Sequence, residues 1–85
     1  MDNITVLLTG AGAPGAPSII QSLRIVKERK IRIIGVDMNP DSVGFSMVDN
    51  HYIVPPAGSD EFIDSIIQIC NKKHVDVIIP LVTRE

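Results

Sequence analysis

Three glycines, Gly10, Gly12 and Gly15, stand in a G-x-G-x-x-G spacing inside the run Gly10-Ala11-Gly12-Ala13-Pro14-Gly15-Ala16-Pro17-Ser18. Such a run can seat an anion when it follows a strand and opens a helix. The first glycine permits the tight turn. The second leaves no side chain between backbone and ligand. The third lets the helix pack close to the sheet. A helix N-terminus adds unpaired N–H groups and a partial positive charge. The expectation is that Gly10, Ala11, Gly12, Ala13 and Gly15 turn backbone amides toward a ligand. Asp37 stands 22 residues after Gly15. A carboxylate at that place can accept from ribose hydroxyls, or simply cap a turn. Two features fit a dinucleotide poorly. Pro14 and Pro17 stiffen the loop and remove two N–H donors that a pyrophosphate would use.

A second group of candidates follows the last apolar run. Thr83, Arg84 and Glu85 end the chain, and an arginine there could pair bidentately with a carboxylate or phosphate. Asn39, in the turn Asn39-Pro40-Asp41-Ser42, joins them on a substrate side. Ser18 could offer its hydroxyl at the helix start. Met38, Phe45 and Met47 form a loose apolar group that covers the sheet end or walls a pocket. His51 and His74 lack partners at metal spacing. The single Cys70 lies on an apolar helical stripe and reads as an inert thiol. Ser18 and Ser22 have no base placed for nucleophilic catalysis.

Four apolar, β-branched runs position these residues: Ile4–Thr9, Arg32–Asp37, His51–Val54 and Val75–Leu81. A helix with Ile19, Ile20, Leu23 and Val26 on one face follows the glycine loop, with Pro17 in its first turn and Lys27, Arg29 and Lys30 toward its end. A second helix starts at Asp60 and carries Phe62, Ile63, Ile66, Ile67 and Cys70 as its stripe. Asp60 and Glu61 at its start and Lys72 and Lys73 at its end suit the helix dipole. A short helical turn is expected within Val43–Val48. Strands alternating with helices imply a parallel α/β sheet with right-handed crossovers. The expected fold is a three-layer, doubly wound, Rossmann-like sheet of order 3-2-1-4. Ligands in such sheets sit beyond the carboxyl ends of the strands, at the loops Gly10–Gly15, Met38–Pro40, Pro55–Ser59 and Val82–Glu85.

The chain has 85 residues, 45% of them hydrophobic, and a net charge of −2 with signs interspersed. That is one domain, residues 1–85. There is no basic stripe for nucleic acid, no membrane-length apolar run and no basic region like that of a signal peptide. A cytoplasmic setting is expected, and one cysteine excludes an internal disulfide. A sheet stopping after a fourth strand leaves an edge that proteins normally pair or cover. The expectation is therefore a piece of a longer protein, truncated after strand 4, or a module that pairs with a second copy through that edge.

Together, Val6–Gly15, Gly35–Pro40, Tyr52–Pro56 and Asp76–Leu81 resemble the N-terminal domain of ATP-grasp ligases, and in particular of proteins similar to the large subunit of carbamoyl-phosphate synthase. The resemblance spans nearly the whole chain. It implies that this domain shapes the acceptor-substrate site. ATP and magnesium would be held by later domains of the same polypeptide, where an acyl phosphate forms and a nucleophile attacks it. By position, Gly10–Gly15, Asp37–Asn39 and Thr83–Glu85 would line the substrate side, and this chain alone would not be catalytic. The close G-x-G-x-x-G match also leaves a nucleotide at the loop open. The alternatives are an NAD(P)-binding fragment of a dehydrogenase or epimerase, and a small ligand-binding or dimerising module.

Overall fold

A computed structural model describes residues 3–81 of the chain. Its elements run β1 (Asn3–Thr9), α1 (Ala16–Arg24), β2 (Lys30–Asp37), a 3-10 turn (Val43–Met47), β3 (Asn50–Ile53), α2 (Asp60–Lys73) and β4 (Val77–Pro80). The four strands form one sheet in the order β3-β2-β1-β4, and every pairing is parallel. This is the α/β, doubly wound arrangement expected from the alternating pattern.

The sheet's two faces bury different residues because side chains alternate along a strand. One face carries Leu7, Ile34 and Val36, packed with Val54 and with Ile66 of α2. The other carries Leu8 and Ile33, packed with Ala16 and Ile20 of α1. Leu7, Leu8, Ile20, Ile33, Ile34 and Val36 are fully buried. Each contributes about 1.5–3 kcal/mol from apolar burial. β1 is central, with neighbours on both sides, so its run Val6–Leu8 is apolar throughout.

The helices differ from the sequence expectation. α1 ends at Arg24, so Val26, Lys27 and Arg29 lie beyond it, and Lys30 opens β2. The last turn tightens, with Val26 N donating to Leu23 O at 3.3 Å. Ile25 is left 74% exposed. Arg24 supplies the basic group at the helix end instead. Its guanidinium donates to Asp49 Oδ2 at 3.2 Å and to Met47 O at 3.0 Å. In α2 the stripe is rotated. Phe62, Ile66, Ile69 and Cys70 pack on the sheet, while Ile63 and Ile67 are 59% and 51% exposed. α2 stops where His74 takes a left-handed conformation, φ 55°.

β4 begins two residues later than its apolar run suggests. Asp76, just before it, makes a reciprocal pair with β1. Its amide donates to Thr5 O at 2.8 Å, and its Oδ2 accepts from Thr5 N at 2.9 Å. Asp49 repeats the device before β3. Its amide donates to Ile33 O at 2.9 Å, and its Oδ2 accepts from Ile33 N at 2.8 Å. Each aspartate satisfies a strand amide at the point where the neighbouring strand has not yet begun. Burial would raise the Asp49 carboxyl, but the Ile33 amide and the charges of Arg24 and Arg32 outweigh it and hold it below the ordinary aspartate value. Pro80 stands on the edge strand, paired with Thr9, where a missing donor is tolerated.

Candidate functional site

The carboxyl ends of the strands carry an open cavity of about 450 Å³. Its walls are Gly10, Gly12, Ala13 and Pro14 from the β1–α1 loop, Val36, Asp37 and Met38 from the end of β2, Val54–Gly58 from the β3–α2 loop, Phe62 of α2, and Leu81. The position agrees with the rule for doubly wound sheets. The volume lies in the range of small-molecule sites.

The glycine loop is built differently from the sequence expectation. Gly10 turns the chain with φ 78°, a conformation that favours glycine. Its amide and that of Ala11 both donate to Val36 O, at 2.9 and 3.0 Å. Gly12 N donates to Asp37 Oδ2 at 2.8 Å, and Ala13 N donates to Gly10 O at 2.8 Å. Four amides expected to face a ligand are thus bonded within the chain. The reason is proximity. β2 lies beside β1, so Val36 O and the Asp37 carboxylate reach three of these amides, and Gly10 O holds the fourth within the loop.

The surroundings of the other two glycines differ. A Cβ on Gly12 would fall 2.7 Å from Ser42 Oγ and 3.1 Å from Asp37 Oδ2. Gly12 therefore makes room for the turn after β2, within the chain. Gly15 has nothing within 4 Å of its Cβ position and is not held to glycine by close packing of α1 on the sheet. The glycine that packing demands is Gly44, in the 3-10 turn. Its Cβ would lie 2.4 Å from Ala11 O, and its amide donates to that oxygen at 3.1 Å. Ala11 is fully buried. The sequence held a signal for Gly44 only in being a glycine amid larger residues.

Asp37 sits at the junction of the loop and the turn. While Oδ2 holds Gly12 N, Oδ1 accepts from Asn39 N at 3.0 Å. Asn39 is committed to the turn. Its Oδ1 accepts from Asp41 N at 2.9 Å, and its carbonyl accepts from Ser42 N at 3.1 Å and from Ser42 Oγ at 2.8 Å.

Of the residues expected to meet a ligand, Gly10, Gly12, Ala13 and Asp37 line the cavity, while Ala11, Gly15 and Asn39 do not. Thr83, Arg84 and Glu85 lie outside the described residues. Met38 forms part of the wall, but Phe45 and Met47 pack elsewhere: Phe45 stacks on His51 with ring centroids 4.4 Å apart, and Met47 packs with the α1 side of the core. Burial pushes the Cys70 thiol up. No cluster of three or more metal-ligating side chains occurs among the described residues. No helix among them is long and apolar enough to cross a membrane.

Comparison with known families decides what kind of domain this is. Residues 6–85 match the family described as PylC-like, N-terminal domain. The chain belongs to that family. PylC is an ATP-grasp ligase, so the match supports an ATP-grasp ligase N-terminal domain, as the order of motifs along the chain led one to expect. No curated protein matches the chain.

Proposed function

We propose that this domain forms the acceptor-substrate side of an ATP-grasp ligase, with the cavity at the carboxyl ends of β1, β2 and β3 as its contribution to the site. The observation that carries the reading is the family match joined to the place of that cavity. On this reading, ATP and magnesium bind mainly to later parts of the same polypeptide, in the cytoplasm. There ATP would phosphorylate a carboxylate substrate and leave as ADP, and the acceptor nucleophile would attack the resulting acyl phosphate with loss of phosphate, by chemistry of the carbamoyl-phosphate-synthase kind. The role of the present chain is to hold and orient the acceptor. Gly10, Gly12, Ala13 and Asp37 line the cavity from the β1–α1 loop and the end of β2, and Val54–Gly58 with Phe62 line it from the β3–α2 loop and α2. Thr83, Arg84 and Glu85 would complete the substrate side by their position after β4. A wall of this type shields the reacting centre from water and fixes the nucleophile's approach.

The NAD(P) alternative is less well supported by the loop. A pyrophosphate needs amides free to donate, and those of Gly10, Ala11, Gly12 and Ala13 already have acceptors. Asp37 would have to share its carboxylate between ribose and two backbone amides.

The test uses the polypeptide that carries this domain. ADP formation is measured over a panel of carboxylic acid and amine acceptors, with and without Ala57→Trp. Ala57 lines the cavity in the β3–α2 loop and takes no part in the hydrogen bonds of the β1–α1 loop, so tryptophan there is chosen to add bulk to the cavity wall. Acceptor-dependent ADP formation, with KM for the acceptor raised and KM for ATP unchanged in the variant, supports the reading. No acceptor-dependent turnover, or a change in KM for ATP alone, overturns it.

A further inference from the structure

The walls of the cavity differ in what they offer a ligand. Val36, Val54, Phe62 and Leu81 present hydrocarbon. Pro14, Pro55 and Pro56 carry no N–H. Gly10, Gly12 and Ala13 have their amides occupied. Asp37 brings the one ionised side chain among the described lining residues. Its two oxygens each accept one backbone N–H. An ionised carboxylate has about four lone-pair sites, so each oxygen retains capacity for a further donor.

We propose that this cavity selects a largely hydrocarbon group that carries an O–H or N–H donor, and that Asp37 accepts that donor. This rests on reading the cavity as the acceptor side of the ligase. It names the class of the group that side holds. An apolar body displaces poorly bonded water from the walls. A donor placed against Asp37 makes a charge-assisted hydrogen bond. A carboxylate or phosphate entering here would meet Asp37 with like charge. Asp37 also ties the β1–α1 loop to the turn after β2, so the acceptor atoms are held in place before a ligand arrives.

The 85-residue chain, labelled with ¹⁵N, is titrated with four probes: 2-phenylethanol, 2-phenylethylamine, 3-phenylpropionate and inorganic pyrophosphate. The alcohol and the amine are expected to shift the amides of Gly12, Asp37, Ala57 and Phe62 saturably. Their affinity should exceed that of the propionate by about tenfold, the usual advantage of a charge-assisted hydrogen bond. Pyrophosphate should leave the same amides unmoved. Ala57→Trp should weaken the alcohol and the amine by at least about tenfold with its thermal midpoint near that of the parent chain. If the propionate or pyrophosphate binds these amides more tightly than the alcohol and the amine, the proposal is overturned. It is equally overturned if the alcohol and the amine bind but shift amides away from the cavity, or fail to bind. Failure of the ligase reading shows separately, as absent acceptor-dependent ADP formation in the intact polypeptide.

Discussion

Replacing Gly44 by alanine adds one methyl group at a place with no room for it. The new Cβ would lie 2.4 Å from Ala11 O. Ordinary contacts are about 1.1 Å longer, since non-bonded heavy atoms rest near 3.5 Å. The obstacle is backbone, buried and bonded, so neither partner can swing aside. Relief requires the 3-10 turn to move off the β1–α1 loop, which breaks the 3.1 Å bond from Gly44 N to Ala11 O. Overpacking costs about 1–3 kcal/mol. Loss of the bond adds about 1 kcal/mol. Alanine's lower entropy in the unfolded chain returns about 0.4–1 kcal/mol. The net expected loss is about 1–3.5 kcal/mol. For a domain of this size that lowers the thermal midpoint by roughly 5–25 °C. Gly15→Ala is the matched control. Its Cβ meets nothing within 4 Å, and its φ of −84° is open to alanine. It should change stability by no more than about 0.5 kcal/mol. Urea denaturation followed by circular dichroism measures both. A Gly44→Ala chain as stable as the parent, or a Gly15→Ala chain that loses more than Gly44→Ala, would refute the reasoning.

The remaining expectations concern the carboxylates and the loop. Gly12→Ala should cost about 1–2 kcal/mol, because Ser42 Oγ must leave its bond to Asn39 O to admit the methyl group. A double-mutant cycle with Ser42→Gly should show coupling of at least about 0.5 kcal/mol, and strict additivity would contradict the contact. Asp37→Ala should speed amide exchange at Gly12 and Asn39 by about tenfold or more while leaving Leu7 and Ile34 protected, and unchanged exchange at both turns would argue against the tie. Asp49 has a folded-state pKa held down by the Ile33 amide, Arg24 and Arg32. Its stabilisation is therefore present above about pH 4, the unfolded aspartate value, and is lost as pH falls through the lower folded value. Asp49→Asn should cost about 1 kcal/mol at neutral pH, discounted because the ion pair is partly exposed to solvent. The gap from the parent chain should close in acid, and a gap that does not depend on pH would place the effect elsewhere.

The sequence exposed the sheet order because parallel strands and right-handed crossovers leave few choices once four apolar runs alternate with helices. It exposed Gly10 because a strand-to-helix turn needs a positive φ there. It did not expose the partners of the loop amides. Those depend on Val36 and Asp37 reaching the loop from β2, a contact between residues 25 positions apart in the case of Gly12 and Asp37. Gly44 was hidden for the same reason, since its close neighbour, Ala11, is distant in the chain. The end of α1 is not legible because Lys27, Arg29 and Lys30 suit a helix terminus equally well as a linker and a strand start. The apolar spacing in α2 leaves the rotation of its stripe open by one residue. A helix docked on one sheet face buries Phe62, Ile66, Ile69 and Cys70 and turns Ile63 and Ile67 outward.

The glycine loop bonds to β2 through the amides of Gly10, Ala11 and Gly12, and the proposed acceptor role requires that no phosphate sit on those amides. The most direct measurement is amide chemical-shift mapping of Gly10, Ala11, Gly12 and Ala13 during titration with NAD and with pyrophosphate. The account predicts no saturable shift at these four amides with either compound. A saturable shift at them in the micromolar range would contradict it and return the loop to dinucleotide binding.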